Sequence, residues 1–247
     1  MVDINCDMGE GMASDEALMA YISSANIACG YHAGDTDTIK RTIELCCHYH
    51  VAIGVHPSFY DRENFGRTEM QLGDTALYEL ISEQLQLFAS IIKEQGASLH
   101  HVKPHGALYN MAARNPLMAR VIANAIFDFD KRVVLYGLAG SYLISEGIYA
   151  GLRTASEVFA DRTYQPDGSL TPRSKANALV SSEEQSVQQV LQMILQQQVT
   201  TTDGTIIPVY AETVCIHGDN PGALVFAKAI YEALKKTHIQ IQACQVQ

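Results

Sequence analysis

Polar and apolar residues alternate from the first positions of this chain. Val2, Ile4 and Cys6 share one face of an extended segment, and Asp3, Asn5 and Asp7 share the other. A period of two marks a β-strand. Three polar residues on one face suit either a wet edge or a barrel wall whose polar face lines the interior near its mouth. The barrel is the better reading, because later strands share the habit. Further strands are expected at residues 25–29, 51–55, 97–103, 132–136 and 214–216. Short extended runs fall at 152–154, 157–159 and 205–209, the last as a hairpin or an approach to the final strand. Residues 239–243 read as a terminal strand or a tail packed on the surface.

Between these runs the apolar spacing changes to three and four, the period of a buried helix face. A short helix is expected at 15–23 with Ser14 as its cap, and a second at 37–49, capped by Asp35 or Thr36, with Ile39, Ile43 and Cys46 or Cys47 inward. Residues 74–95 carry Leu77, Leu80, Ile81, Leu85, Phe88 and Ile92 and stop at Gly96. Further helices are expected at 115–127, 141–146, 182–198 and 222–236, the last opened by Asp219-Asn220-Pro221. Seven or eight short strands separated by helices make an α/β protein, and the polar strand ends favour a closed (β/α) barrel. Two long polar connections interrupt the pattern. The first, 57–73, embeds Phe59, Tyr60 and Phe65 among charges and reads as a substrate-covering loop; the second is 161–175.

Composition narrows the partners. A chain of 247 residues suits one barrel domain spanning 1–247. Its formal charge of -10, without a basic run, disfavours nucleic acid. No stretch is long and apolar enough for a membrane helix, and the first residues lead straight into a strand, so a cytoplasmic protein is expected. The six cysteines form no C-x-x-C pair and read as reduced thiols, with Cys6, Cys29 and Cys215 as small buried hydrophobes. No Gly-x-Gly-x-x-Gly or Walker-type Gly-Lys-Ser/Thr is present, so the chain shows no nucleotide site of its own.

Asp7, His32, His56, His105, His217 and Asp219 sit at or just past predicted strand ends, which a barrel brings to one face. Such a set suits a divalent metal, since catalytic zinc takes three protein ligands and a water. It suits acid–base chemistry without metal equally well. Among these six no His-x-x-x-His pair makes the metal reading local, and each histidine alone reads as well as a hydrogen-bonded loop residue. Lys103 alternates with His101 and His105, and a lysine in a strand needs a partner, for which Asp3, Asn5 or Asp7 lies across a barrel. It reads as an anchor for a carboxylate, a group that polarises a carbonyl, or a structural ion pair. Asp161 and Arg162, with Arg67 and Arg173, lie in the long loops and suit an anionic substrate or a subunit interface. Glu10, Asp35 and Glu157 are further carboxylates near strand ends.

Six blocks in order carry a resemblance. They are Asp3-Ile4-Asn5-Cys6-Asp7-Met8-Gly9-Glu10, Asn26-Ile27-Ala28-Cys29-Gly30-Tyr31-His32-Ala33-Gly34-Asp35, and Gly54-Val55-His56-Pro57 with Phe65-Gly66-Arg67. Then come Val102-Lys103-Pro104-His105-Gly106-Ala107-Leu108-Tyr109-Asn110, Glu157-Val158-Phe159-Ala160-Asp161-Arg162, and Val214-Cys215-Ile216-His217-Gly218-Asp219. Together they resemble the LamB/YcsF family of bacterial 5-oxoprolinase A subunits, over nearly the whole chain. The resemblance implies a barrel of the polysaccharide deacetylase and glycoside hydrolase type. It implies ring opening of 5-oxo-L-proline to L-glutamate, coupled to ATP hydrolysis, in a complex with two further subunits, B and C, on which the phosphorylation step would mainly lie. A homodimer is compatible with a barrel of this size. On this reading Asp7, His56, Lys103 and His105 are the expected catalytic groups. Asn5, Asn26, His32, Arg67, Asp161 and Arg162 are expected around the substrate. The rival readings are a stand-alone metal-dependent amidase or deacetylase and a non-catalytic substrate-binding subunit. Three positions depart from the family pattern: Ser58 replaces a usual glycine, Thr68 a second arginine, and Asn177 the glycine of a Gly-Ala pair.

Overall fold

A computed structural model describes residues 1–220 and 222–245. Its centre is a closed barrel of seven parallel strands: β1 (Asp3–Met8), β2 (Ser24–Ala28), β3 (Ala52–His56), β4 (Leu99–Val102), β5 (Val134–Leu138), β6 (Arg153–Phe159) and β9 (Thr213–Ile216). β6 pairs with β9 and β9 with β1, which closes the ring. β7 (Gln198–Thr200) and β8 (Ile206–Pro208) form a separate antiparallel hairpin, so the run at 205–209 is not a barrel strand. The two extended runs expected at 152–154 and 157–159 are one strand, β6, because Thr154, Ser156 and the residues between stay in register with β5.

The helices lie where the apolar period placed them, with physical corrections at their ends. α1 (Asp15–Leu18) is followed by a 3-10 turn at Met19–Tyr21, and Ser14 gives it no side-chain cap; Asp15 instead accepts from Gly9 N at 2.9 Å. α2 (Thr36–Tyr49) is capped by Asp35, whose carboxylate accepts from Thr38 N at 2.8 Å. α3 (Asp74–Glu94) buries Leu77, Ile81, Leu85, Phe88 and Ile92. α4 (Gly106–Arg114) starts directly after His105 and is not among the expected helices; α5 (Pro116–Asp130) begins at the expected Asn115-Pro116, with Asn115 as its cap. α6 spans Tyr142–Ala150 and α7 Glu183–Leu191, after which the chain widens into a π turn, Gln192–Gln196. α8 is Ala223–Lys236; Pro221, expected at its opening, lies outside the described residues. The C-terminal segment is a tail: Ile241 makes a single bridge to Val2, and Cys244 O accepts from His100 Nε2 at 2.6 Å.

The first-strand alternation separates two cores. Ile4, Cys6 and Met8 face outward and are buried under the helices. Asp3, Asn5 and Asp7 face inward and are also buried, so the wet-edge alternative does not hold. Parallel barrels are usually filled by branched apolar side chains, whereas this one carries stacked polar layers. At the base, Asp3 accepts from Ser23, Ser24 and Thr213 at 2.6, 2.8 and 2.6 Å. Above it, His101 crosses the interior to Asn26 Oδ1 at 2.8 Å and stacks on Tyr136. Gly54 makes this crossing possible, since a Cβ there would lie 2.0 Å from the His101 ring. The third layer is Asp7, Lys103 and Cys215, under the mouth. No helix is long and apolar enough to cross a membrane among the described residues.

Candidate active site

The C-terminal ends of the strands open on a cavity of about 1240 Å³, floored by Asp7, Lys103, His56, His105 and Glu10 and walled by the two long connections. Lys103 extends from the end of β4 into the barrel. Its ammonium lies 2.9 Å from Asp7 Oδ1, 3.0 Å from Glu157 Oε1, 3.3 Å from Asn5 Oδ1 and 3.1 Å from Cys215 Sγ. These partners compensate a charge that is 2 % exposed. Asp3, named as a possible partner, is tied to the serines at the base instead. Burial works against the Asp7 carboxylate, but His56 and Lys103 beside it outweigh burial and hold it well below the usual carboxylate range. Glu157 accepts from Tyr109 Oη at 2.6 Å and from Asn5 Nδ2 at 2.9 Å.

Three imidazoles stand over this layer. His56 Nε2 lies 3.4 Å from Asp7 Oδ2 and 2.9 Å from His105 Nδ1. His32 stacks on His105 with ring centroids 3.8 Å apart, and its Nε2 lies 3.2 Å from Glu10 Oε1. Burial and the neighbouring His56 push His32 down to about 3, and burial with His32 and His56 pushes His105 well below the ordinary histidine value. Both rings are therefore neutral bases at pH 7. Burial, then the Asp7 and Asp219 charges, push the Glu10 carboxyl well up. Ser58 is buried and meets His32 Nδ1 at 2.9 Å, a contact that glycine cannot make.

The four expected catalytic groups thus meet at the cavity floor. The expected substrate groups divide. Arg67 and Arg162 line the cavity, Arg67 paired with Asp219 and Arg162 donating to the carbonyls of Thr171 and Ala178. Asn5, Asn26, His32 and Asp161 stand behind the cavity lining: Asn26 donates to Asn5 and Asp7 at 2.7 and 2.8 Å, and Asp161 accepts from His217 Nδ1 at 2.9 Å. The six residues read as one metal set also divide. His32, His56 and His105 converge with Glu10; Asp7 lies beside His56 and also converges with Cys215 and His217; His217 is paired with Asp161, and Asp219 with Arg67. Glu10, Glu157 and Cys215 are the central groups whose place sequence pattern did not specify. Cys6 and Cys29 are small buried residues as expected, whereas Cys215 faces the ammonium of Lys103.

A closed parallel barrel with helices outside and ionisable groups at its strand ends belongs to the deacetylase and glycoside hydrolase type of fold. It shares that fold with the family 4 carbohydrate esterase from Streptomyces lividans, at a TM-score of 0.51 and 12% identity over 96% of this chain and 88% of that one. A crystal structure of the lactam utilization protein from Thermus thermophilus matches at a TM-score of 0.91 and 38% identity, over 98% of this chain and 99% of that one. The 5-oxoprolinase A subunit of Brevibacillus brevis is 49% identical over 247 residues, covering 98% of this chain and 97% of that protein. The LamB/YcsF family profile matches residues 2–247, and the chain belongs to that family.

Proposed function

We propose that this chain is the A subunit of an ATP-dependent 5-oxoprolinase, opening the lactam ring of 5-oxo-L-proline to L-glutamate with partner subunits B and C. The observation that carries the reading is the meeting of an ionised Asp7, a buried Lys103 and the neutral imidazole of His105 with His56 on one cavity floor. The relatives, named as a 5-oxoprolinase A subunit and a lactam utilization protein, support the substrate class.

A lactam carbonyl is a poor electrophile, and closure of a five-membered ring from glutamate is favourable. Phosphoryl transfer from ATP to the lactam oxygen raises the reactivity of the carbon. Water then adds at that carbon, the carbon–nitrogen bond breaks, and the nitrogen leaves with a proton. Hydrolysis of the resulting acyl phosphate gives glutamate and phosphate. The His56–His105 pair takes the water's proton, and Asp7 stabilises the cation so formed. Lys103 holds Asp7 ionised and in place. Arg67 or Arg162 on the cavity wall receives the substrate carboxylate. The absence of a nucleotide motif agrees with phosphorylation chemistry supplied mainly by the partners.

The test is glutamate release from 5-oxo-L-proline by this chain alone and with B and C, each with and without ATP. Product only in the complete mixture with ATP is the expected result. Product from this chain alone without ATP would replace the reading with a stand-alone amidase. Normal rates in the complete mixture with a His105→Asn chain would reduce this protein to a substrate holder.

A further inference from the structure

The hydrogen bonds behind two histidines settle where their lone pairs point. His56 Nδ1 lies 2.6 Å from the Lys103 carbonyl oxygen, and His105 Nε2 lies 2.9 Å from the Phe65 carbonyl oxygen. A carbonyl only accepts, so each of these nitrogens carries the proton. The opposite nitrogens, His56 Nε2 and His105 Nδ1, are then both acceptors, yet they face each other at 2.9 Å. Carboxylates complete the ring around this contact. Asp7 Oδ2 lies 3.4 Å from His56 Nε2, and Glu10 Oε1 lies 3.7 Å from His105 Nδ1. The two ring nitrogens thus meet lone pair to lone pair with no donor between them, and two carboxyl groups border the contact. A shared proton satisfies the contact between the rings alone. A dication satisfies both nitrogens and takes Glu10, which converges with them, as a third ligand.

The spacing suits such an ion. Tetrahedral zinc with bonds of about 2.0–2.1 Å sets its ligand atoms about 3.3 Å apart, and the His56–His105 and His105–Glu10 separations of 2.9 and 3.7 Å bracket that value. The His56 and His105 rings cross at 81°, so their in-plane lone pairs can converge. The His32 ring lies parallel to His105 at 3.8 Å and does not aim at the same point.

We propose that Glu10, His56 and His105 bind a divalent transition-metal ion of the zinc class, with a fourth position open to the cavity beside Asp7. Two imidazoles and one carboxylate match the donor count of a catalytic zinc centre, and all three residues line the cavity. His32 is a positioning residue: Ser58 donates its hydroxyl to Phe59 O at 2.9 Å and so accepts from His32 Nδ1 at 2.9 Å, and His32 Nε2 lies 3.2 Å from Glu10 Oε1 and orients that carboxyl group. With the ion bound, the His56 and His105 lone pairs are no longer free to take a proton, and the lowered pKa of a water at the open position replaces that base function. The site stands apart from the substrate assignment, since binding is read without turnover.

The experiment uses the full chain, treated with chelator and dialysed into metal-free buffer. It is titrated calorimetrically with Zn²⁺, and with Co²⁺ followed by visible absorption. The expected result is one equivalent bound, with the d–d bands of four-coordinate Co²⁺, which added Zn²⁺ removes. Glu10→Gln and His105→Asn each abolish the stoichiometric site. His32→Ala weakens it about 10–100-fold, and His48→Gln, on the exposed face of α2, leaves it unchanged. Circular dichroism and thermal unfolding identify variants that fail to fold, and the wild-type titration decides the matter without them. Absence of one-equivalent binding by the folded wild-type chain would overturn the proposal. So would binding that persists in folded Glu10→Gln and His105→Asn, or a downfield proton resonance shared by His56 and His105 that Zn²⁺ leaves in place.

Discussion

Lys103 has the most demanding environment of any residue in the barrel. It is buried, and it is the common partner of Asp7 and Glu157. Removing one member of a buried ion pair costs about 3–5 kcal/mol because the remaining charges lose compensation. Lys103→Met is therefore expected to lower the denaturant midpoint by a free energy of that order, and Glu157→Gln added to it should restore part of the loss. An unchanged midpoint in the single variant would show that the ion pairs contribute nothing. The need for a partner was legible from a lysine in a strand. The choice of Glu157 was not, because β6 is 54 residues from Lys103 and only barrel closure brings the two together.

At the scale of elements, the connection after β3 is held to the site by close backbone approach. Gly66 has φ +67°, and a Cβ there would lie 2.7 Å from the His105 ring and 2.9 Å from His32 Cβ. Its carbonyl accepts from Ala107 N at 2.9 Å at the start of α4, and Phe65 O holds His105. Gly66→Ala is expected to strain the backbone by about 1–3 kcal/mol and to lower kcat/KM on the order of a hundredfold by displacing His105. Gly73→Ala in the same connection meets nothing within 4 Å and should leave steady-state kinetics unchanged. Equal kinetics in the two variants would remove the connection from the site. The loop's functional character was legible in its aromatics among charges. Its contacts were not, since they depend on where β4 delivers His105.

At the scale of the molecule, closure between β6 and β9 places Asp161 against His217 across the last seam. Burial raises the Asp161 carboxyl, but His217, Arg173 and Arg162 outweigh it, and the net position is below the ordinary value of 3.8. A carboxyl depressed on folding contributes stability that is present above its unfolded value and lost as pH falls through its folded value. Asp161→Asn should therefore remove a stabilising difference that is full at neutral pH and vanishes as pH falls through the ordinary carboxylate range and below it. Denaturation midpoints across that range, taken as wild type minus variant, read the difference directly. A difference that grows toward low pH would reverse the assignment. Asp3, pushed up by burial, acts with the opposite sign in both proteins and cancels in this comparison.

The amino-acid sequence by itself determined the alternation of strands and helices, the inward polar face of β1, and the placement of ionisable residues at strand ends. These are local properties: period two, period 3.6 and chain punctuation act within a few residues. The tertiary structure alone decided which of those residues meet. It joined two extended runs into β6, excluded the run at 205–209 from the barrel, and brought Glu157 and Cys215 to Lys103. It also turned His217 toward Asp161 and gathered Glu10 with His56 and His105. The reason is geometric: a closed barrel makes neighbours of residues far apart in the chain, and strand register, which local pattern does not encode across the ring, sets the distances between them.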